Sequence, residues 1–207
     1  MILKILGWQS QGMRCPDTKI SLSSKNKVDV LLMNNGTGKT TTLTLIQMAL
    51  TGEKDTAKIT AALGDDARRE PQELLHMHNQ GHGTFKLELE IDKNSYTFAI
   101  TIERNVNKVN FTTTADSLGG MLPGYSPPNH ARPFLTLDFV KLFVFDGEKA
   151  ATLFKKGSSA KKAIDTLCQF HTLEDASKSI TKYLDDKAEE QGAGHRSALT
   201  RRANILN

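Results

Sequence analysis

Residues 33–41, Met-Asn-Asn-Gly-Thr-Gly-Lys-Thr-Thr, carry the sharpest chemical signal in this chain of 207 residues. A glycine-rich turn that ends in Lys-Thr at a helix start is built to hold phosphate. Backbone N–H groups and the helix N-terminus cradle the anionic oxygens, the lysine reaches the β- and γ-phosphates, and the hydroxyl residue takes Mg²⁺. Gly38, Lys39 and Thr40 match the second half of the GxxxxGK[ST] pattern, and Gly36 adds another flexible position. Met33 stands where the first glycine of the pattern belongs. That position lies at the exit of the preceding strand, away from the nest around Gly36 to Lys39, so its replacement is expected to be tolerated. The nucleotide-binding set is therefore Asn35, Gly36, Thr37, Gly38, Lys39, Thr40 and Thr41, with Thr40 as a metal ligand.

A second chemical segment is Asp146-Gly147-Glu148, which follows Leu142-Phe143-Val144-Phe145. Four apolar residues and then an acid fit a Walker B strand, with Asp146 at the metal and Glu148 as a candidate base. A tight turn with Asp146 as a helix N-cap is the plain structural alternative. His76, His78 and His82 cluster in HMHNQGH, yet no Cys or acid joins them at ligand spacing, so no metal site is assigned there. No Ser-His-Asp or Cys-His arrangement points to another kind of hydrolase.

These groups need a scaffold, and hydrophobic periodicity outlines one. Ile2 to Leu6 and Lys19 to Leu22 read as short strands. Val28 to Met33 (VDVLLM) is nearly continuously apolar, as expected of a central strand buried on both faces. From Lys39 to Leu50 the positions Leu43, Ile46 and Leu50 share one helical face, and Gly52 is placed to end the helix. A helix is expected around Pro71 to Asn79. Then the period changes to two: Phe85, Leu87, Leu89 and Ile91 alternate with polar residues, Asp92 to Ser95 turns, and strands follow over Tyr96 to Ile102 and Val109 to Thr113. Residues 116–133 hold four of the six prolines and predict a loop or lid. The remainder reads as helical, over Ala160 to Phe170 and then Thr172 to about Glu190. Leu173, Ala176, Ile180 and Tyr183 trace the narrow stripe of a coiled-coil root.

Composition sets the outer bounds. Hydrophobic residues make up 38% of the chain, ordinary for a globular protein and too many for a disordered tail. Lys+Arg 27 against Asp+Glu 23 gives +4, which permits a nucleic-acid partner without requiring one. Cys15 and Cys168 are too few for a disulfide framework, so a reducing cytoplasm is expected. No apolar run approaches the ~20 residues of a membrane span, and no membrane partner is expected.

The order of these parts (strand pair, phosphate loop, antiparallel meander, acidic motif, helix) resembles the N-terminal half of ABC-type ATPase heads in SMC-like proteins. VDVLLMNNGTGKTTTLTLIQMALTGE and FVFDGEKAATLF resemble SbcC-type repair ATPases and especially DndD, the ATPase of phosphorothioate-linked DNA defence. AIDTLCQFHTLEDASKSITKYLDD matches where such heads send out their first coiled-coil helix. The resemblance implies an α/β P-loop NTPase fold. Residues 1–170 would form the N-terminal head lobe, with the phosphate loop at 33–41, the meander at 84–114 and a Q-loop-like segment at 145–149. Residues 171–207 would begin a coiled coil and end in a disordered tail.

The same resemblance implies ATP and Mg²⁺ as cofactors. It puts Arg14 where relatives often have a basic residue reaching the phosphates. It also places Asp146 at the Q-loop position, replacing the usual glutamine, where a carboxylate still binds Mg²⁺; the Walker B alternative stays open beside it. It implies DNA as a partner, head-to-head homodimers, and nuclease or defence subunits. Lys155-Lys156, Lys161-Lys162 and Arg201-Arg202 are candidate contacts to a phosphate backbone. Such heads also need an LSGG-like signature and a Walker B Asp-Glu pair from a C-terminal lobe. Ser117 to Gly120 is a decoy that precedes the acidic motif, so the chain is expected to be one lobe of a longer protein.

Overall fold

The computed structural model describes residues 2–23, 28–63, 70–144, 176–183 and 186–187, apart from the side chains of Ala62 and Leu118. The chain divides into two compact units, Met1–Ala163 and Ile164–Asn207. In the first, the described strands are β1 (Leu3–Gln11), β2 (Thr18–Ser21), β3 (His82–Ile91), β4 (Asn94–Glu103), β5 (Lys108–Ala115) and β6 (Gly120–Pro123). They form one antiparallel sheet in the order β2-β1-β3-β4-β5-β6. The helices are α1 (Lys39–Thr51), α2 (Thr56–Ala62) and the single turn α3 (Leu137–Val140), and together with the sheet they make an α/β fold.

Alternation builds the meander. Phe85, Leu87, Leu89 and Ile91 of β3 and Phe98, Ile100 and Ile102 of β4 are all fully buried, one face of each pleat turned to the core. The β3–β4 turn is tight: Ile91 pairs with Asn94, and both residues between them take positive φ, Asp92 at 47° and Lys93 at 70°. That is the mirror-image turn whose twist matches paired strands.

Helix α1 is buried nearly all round, from Thr41 through Leu50 with only Leu43 partly exposed, a wider contact than a single Leu43–Ile46–Leu50 stripe. Three of its threonines satisfy their hydroxyls within the packed helix by donating to a carbonyl one turn back: Thr42 to Gly38, Thr44 to Thr40, Thr51 to Gln47. Gly52 ends the helix at φ 68°, its N–H donating to the Met48 carbonyl. A side chain there would run into the Tyr125 ring, 2.3 Å from a built Cβ.

Several expectations are corrected. Val28 to Met33 forms no strand, and Val28, Val30 and Leu32 are 75%, 77% and 94% exposed. A central strand needs neighbours along both edges, and no described strand pairs with this run. The helix expected over Pro71 to Asn79 shrinks to a 3₁₀ turn at Pro71–Leu74. Residues 116–133 are more ordered than a lid: β6 extends the sheet, and a 3₁₀ segment at Asn129–Leu135 buries Ala131 and Leu135. Helix α2 was not anticipated; Asp55 caps it, accepting from the N–H groups of Ala57 and Lys58. Residues 142–144, required by a Walker B strand, are turn and bend rather than strand.

In the second unit, the described residues 176–183 and 186–187 are helical and exposed, Ile180 and Tyr183 among them. Asp146, Glu148 and the paired cations at 155–156, 161–162 and 201–202 lie outside the described residues. No helix among the described residues is long and apolar enough to cross a membrane.

Candidate functional site

The phosphate loop starts as a turn closed on Asn34. The Thr37 hydroxyl donates to the Asn34 carbonyl at 2.7 Å, and the Thr37 N–H reaches the same oxygen at 3.4 Å. Gly36 and Gly38 then take φ of 78° and 88°. Gly38 is forced to be glycine twice over. Its φ lies in the left-handed region, and a Cβ would stand 2.3 Å from the Arg14 carbonyl oxygen and 2.8 Å from the Cys15 Cα. A Cβ on Gly36, by contrast, would meet nothing within 4 Å among the described residues, so among them that side of the loop has room for a ligand.

The floor under the loop is the segment after β1. The Arg14 N–H donates to the Leu74 carbonyl at 2.7 Å, the His76 N–H donates to Gly12 at 3.1 Å, and Met13 bridges to Leu75. Cys15 is buried there. Burial pushes its thiol pKa up, against the hydrogen bonds of Ser10 and Thr42 that favour the thiolate. The thiol is a neutral packing group rather than a nucleophile.

Helix α1 begins immediately after Gly38, with no side-chain cap among the described residues and no acid in its first turn. Such an N-terminus leaves donors and the positive end of the helix dipole available to an anion. Lys39 is exposed, and its Nζ donates to Asn35 Oδ1 at 3.0 Å. Only the donor of that bond is charged and it lies in water, so an anionic phosphate in reach would replace the neutral amide oxygen readily. Thr40 follows in the first helical turn and is half-buried. Glycine cradle, uncapped helix, lysine and hydroxyl fit a Mg²⁺-nucleotide phosphate chain in donor type and placement.

A cleft of about 800 Å³ opens beside the loop, lined by Arg14, Gly36, Thr37, Glu73, His76 and Arg104 among others. The structure thus brings Arg14 together with the phosphate loop, although 22 residues separate Arg14 from Gly36 in the sequence. The Arg104 guanidinium donates to the carbonyls of Asn79 and His76, at 2.5 and 3.0 Å, and so holds the cleft's far wall. Sequence reasoning did not find this wall. Its only local sign was a charged residue at the end of an alternating strand. Nor did it find Gln47, fully buried in α1, whose Nε2 donates to the Val144 carbonyl at 2.5 Å.

A family model described as an AAA domain matches residues 17–193, a span that includes the phosphate loop and α1. No curated protein matches the chain.

Proposed function

The chain belongs to this AAA-domain family of P-loop ATPases, and on that premise we propose that it is the ATP-binding N-terminal lobe of an SMC-like ATPase head resembling SbcC and especially DndD. The observation that carries the reading is the cradle itself. Gly38 is pressed onto the Arg14–Cys15 backbone, and the uncapped start of α1 presents Lys39 and Thr40 beside an open cleft. In this reading the amides of Gly36 to Thr41 and the Lys39 ammonium bind the β- and γ-phosphates, and Asn35 parks the lysine until nucleotide arrives. Arg14 adds charge at the cleft wall. Thr40 and Asp146 hold Mg²⁺, which neutralises phosphate charge when bound.

The order of hairpin, phosphate loop, meander and acidic motif supports the SMC-like assignment. So does the exposure of Val28 to Leu32. A large aliphatic run directly before the phosphate loop calls for cover, and a C-terminal lobe carrying further strands would supply it. ATP would then join two heads, and hydrolysis would part them, moving coiled coils, DNA and a nuclease or defence subunit.

Calorimetry of ATP·Mg²⁺ with the parent chain and with Lys39→Ala tests the site: the parent binds, and the variant loses binding while its circular dichroism is unchanged. Equal affinities would refute the assignment. Hydrolysis should stay near background in this chain alone, because loss of groups that stabilise the transition state costs ~10²-fold or more each. Adding the C-terminal lobe should restore turnover and ATP-dependent dimerisation together. Brisk turnover by the chain alone, abolished by Glu148→Gln, would instead make it a complete small NTPase.

A further inference from the structure

The turn at residues 76–79 is exposed at its tip and tied down along its backbone. His76, Met77 and His78 are exposed, Met77 at 73%. The Asn79 N–H donates to the His76 carbonyl at 2.9 Å and closes the turn. Gly12 holds it from one side, its carbonyl accepting from the His76 N–H at 3.1 Å and from Asn79 Nδ2 at 2.9 Å. Arg104 holds it from the other. Its Nε donates to the Asn79 carbonyl and its Nη2 to the His76 carbonyl, while its own N–H donates to Gly81 at 3.1 Å.

Stability alone does not call for this grip. Carbonyls in an exposed turn can bond to water, so satisfying them gains little. What a planar guanidinium adds is geometry: two charge-assisted bonds from one rigid fork fix both ends of the turn at once. The residues so fixed line the cleft, His76 and Met77 beside Arg14, Gly36 and Thr37. An imidazole and a thioether held at the surface of a rigid turn present a flat, polarisable contact to a ring. Phosphates seated on the loop would leave the sugar and base to be housed beside it, and a cleft of about 800 Å³ has the room.

We infer that Arg104 is a positioning residue, which holds the 76–79 turn at the cleft and thereby sets the affinity for the nucleoside half of a nucleotide. This rests on the proposed reading of the phosphate loop as a nucleotide site. Arg104 acts through the backbone of His76 and Asn79, not through its charge. The phosphate cradle has its own support: Gly38 rests on Arg14, whose N–H is bonded to Leu74.

The test measures, by calorimetry with Mg²⁺, the affinities of the full chain for ATP and for inorganic tripolyphosphate, in the parent, Arg104→Met and Arg104→Lys. The ratio of the two affinities isolates what the nucleoside contributes. Stacking of a base on a side chain is worth ~10-fold or more, so the parent should prefer ATP by at least about that factor. Arg104→Met keeps the stem and loses the fork; it should bind tripolyphosphate as the parent does and lose most of the preference. Arg104→Lys keeps the charge but cannot bridge two carbonyls in the same way. It should behave alike, and it serves if the methionine variant does not fold. If either folded variant retains the preference, the inference is overturned. It is overturned as well if both affinities fall together, the mark of a phosphate contact or of a merely structural role. A parent that binds ATP no better than tripolyphosphate also overturns it and leaves the phosphate-loop reading standing. If the parent binds neither, or Lys39→Ala keeps both affinities, that reading fails and the inference fails with it.

Discussion

Gly38 rests against the carbonyl of Arg14 so closely that a single added methyl group would stand 2.3 Å from that oxygen. The phosphate loop is shaped from below by a segment far from it in sequence, itself pinned to Leu74. Gly38→Ala should therefore damage both fold and binding. Left-handed backbone alone costs a non-glycine residue about 1–2 kcal/mol, and the backbone clash adds to it. A drop in melting temperature of several degrees with loss of ATP binding is expected; an unshifted melt would refute the close approach.

Tyr125 closes the other end of α1. Its hydroxyl donates to the Leu50 carbonyl, and its ring packs against Phe98 at 5.1 Å. Tyr125→Phe keeps the ring and strands the carbonyl, a loss of roughly 1–3 kcal/mol, measurable by urea unfolding. Burial pushes the phenol pKa up, against the opposing charge of Arg132. The unfolded chain then ionises first as pH rises past ~10, so the folded state loses stability in alkali. The phenylalanine variant should lose part of that alkaline slope.

Asp92 behaves in the opposite sense. Its Oδ1 accepts the Ile2 N–H at 2.7 Å, and its Oδ2 lies 3.1 Å from His130 Nε2. The Ile2 hydrogen bond leads in lowering the carboxyl pKa, with the charge of His130 helping. A lowered folded-state pKa stabilises above the unfolded value of ~3.9, and that contribution is lost as pH falls through the folded one. Asp92→Asn, which suits the same positive φ, should flatten the acid limb of the stability curve. An unchanged limb would show that the contact carries nothing.

Leu32 offers a control on the exposed run. At 94% exposure, Leu32→Ser should change the stability of this chain by no more than about 0.5 kcal/mol, read by thermal melt. A larger loss would mean that Leu32 is buried in solution. With a C-terminal lobe added, the same substitution should weaken assembly.

How far the sequence spoke depended on the range of each signal. The alternation from Phe85 to Ile91 and the turn at Asp92–Lys93 are local, and both were legible. So was α1, framed by glycines at 38 and 52. The run from Val28 to Met33 read as buried because apolar content reports a need for cover, not what provides it. Helix α2 is only seven residues long, and its one strong sign was the cap at Asp55. The phosphate loop was plain from spacing, whereas its floor at Arg14–Cys15, its wall at Arg104 and the tie from Gln47 to Val144 join residues far apart. No window along the chain contains such pairs.

The strand order has a kinetic consequence. Strands β3 to β6 are neighbours in sequence as well as in space, so each pairs across a short turn. Strand β1 must instead find β3 across the whole stretch that holds the phosphate loop and both early helices, bringing Gln11 opposite Thr84. Long closures are slow, because chain entropy is lost before contacts reward it. The meander should form early and the β1 pairing late. Since the segment after β1 is what Gly38 rests on, the phosphate cradle is assembled in the closing step. A chain able to grip nucleotide is then one that has finished folding, and ATP in the refolding buffer would trap that last step without hastening the first.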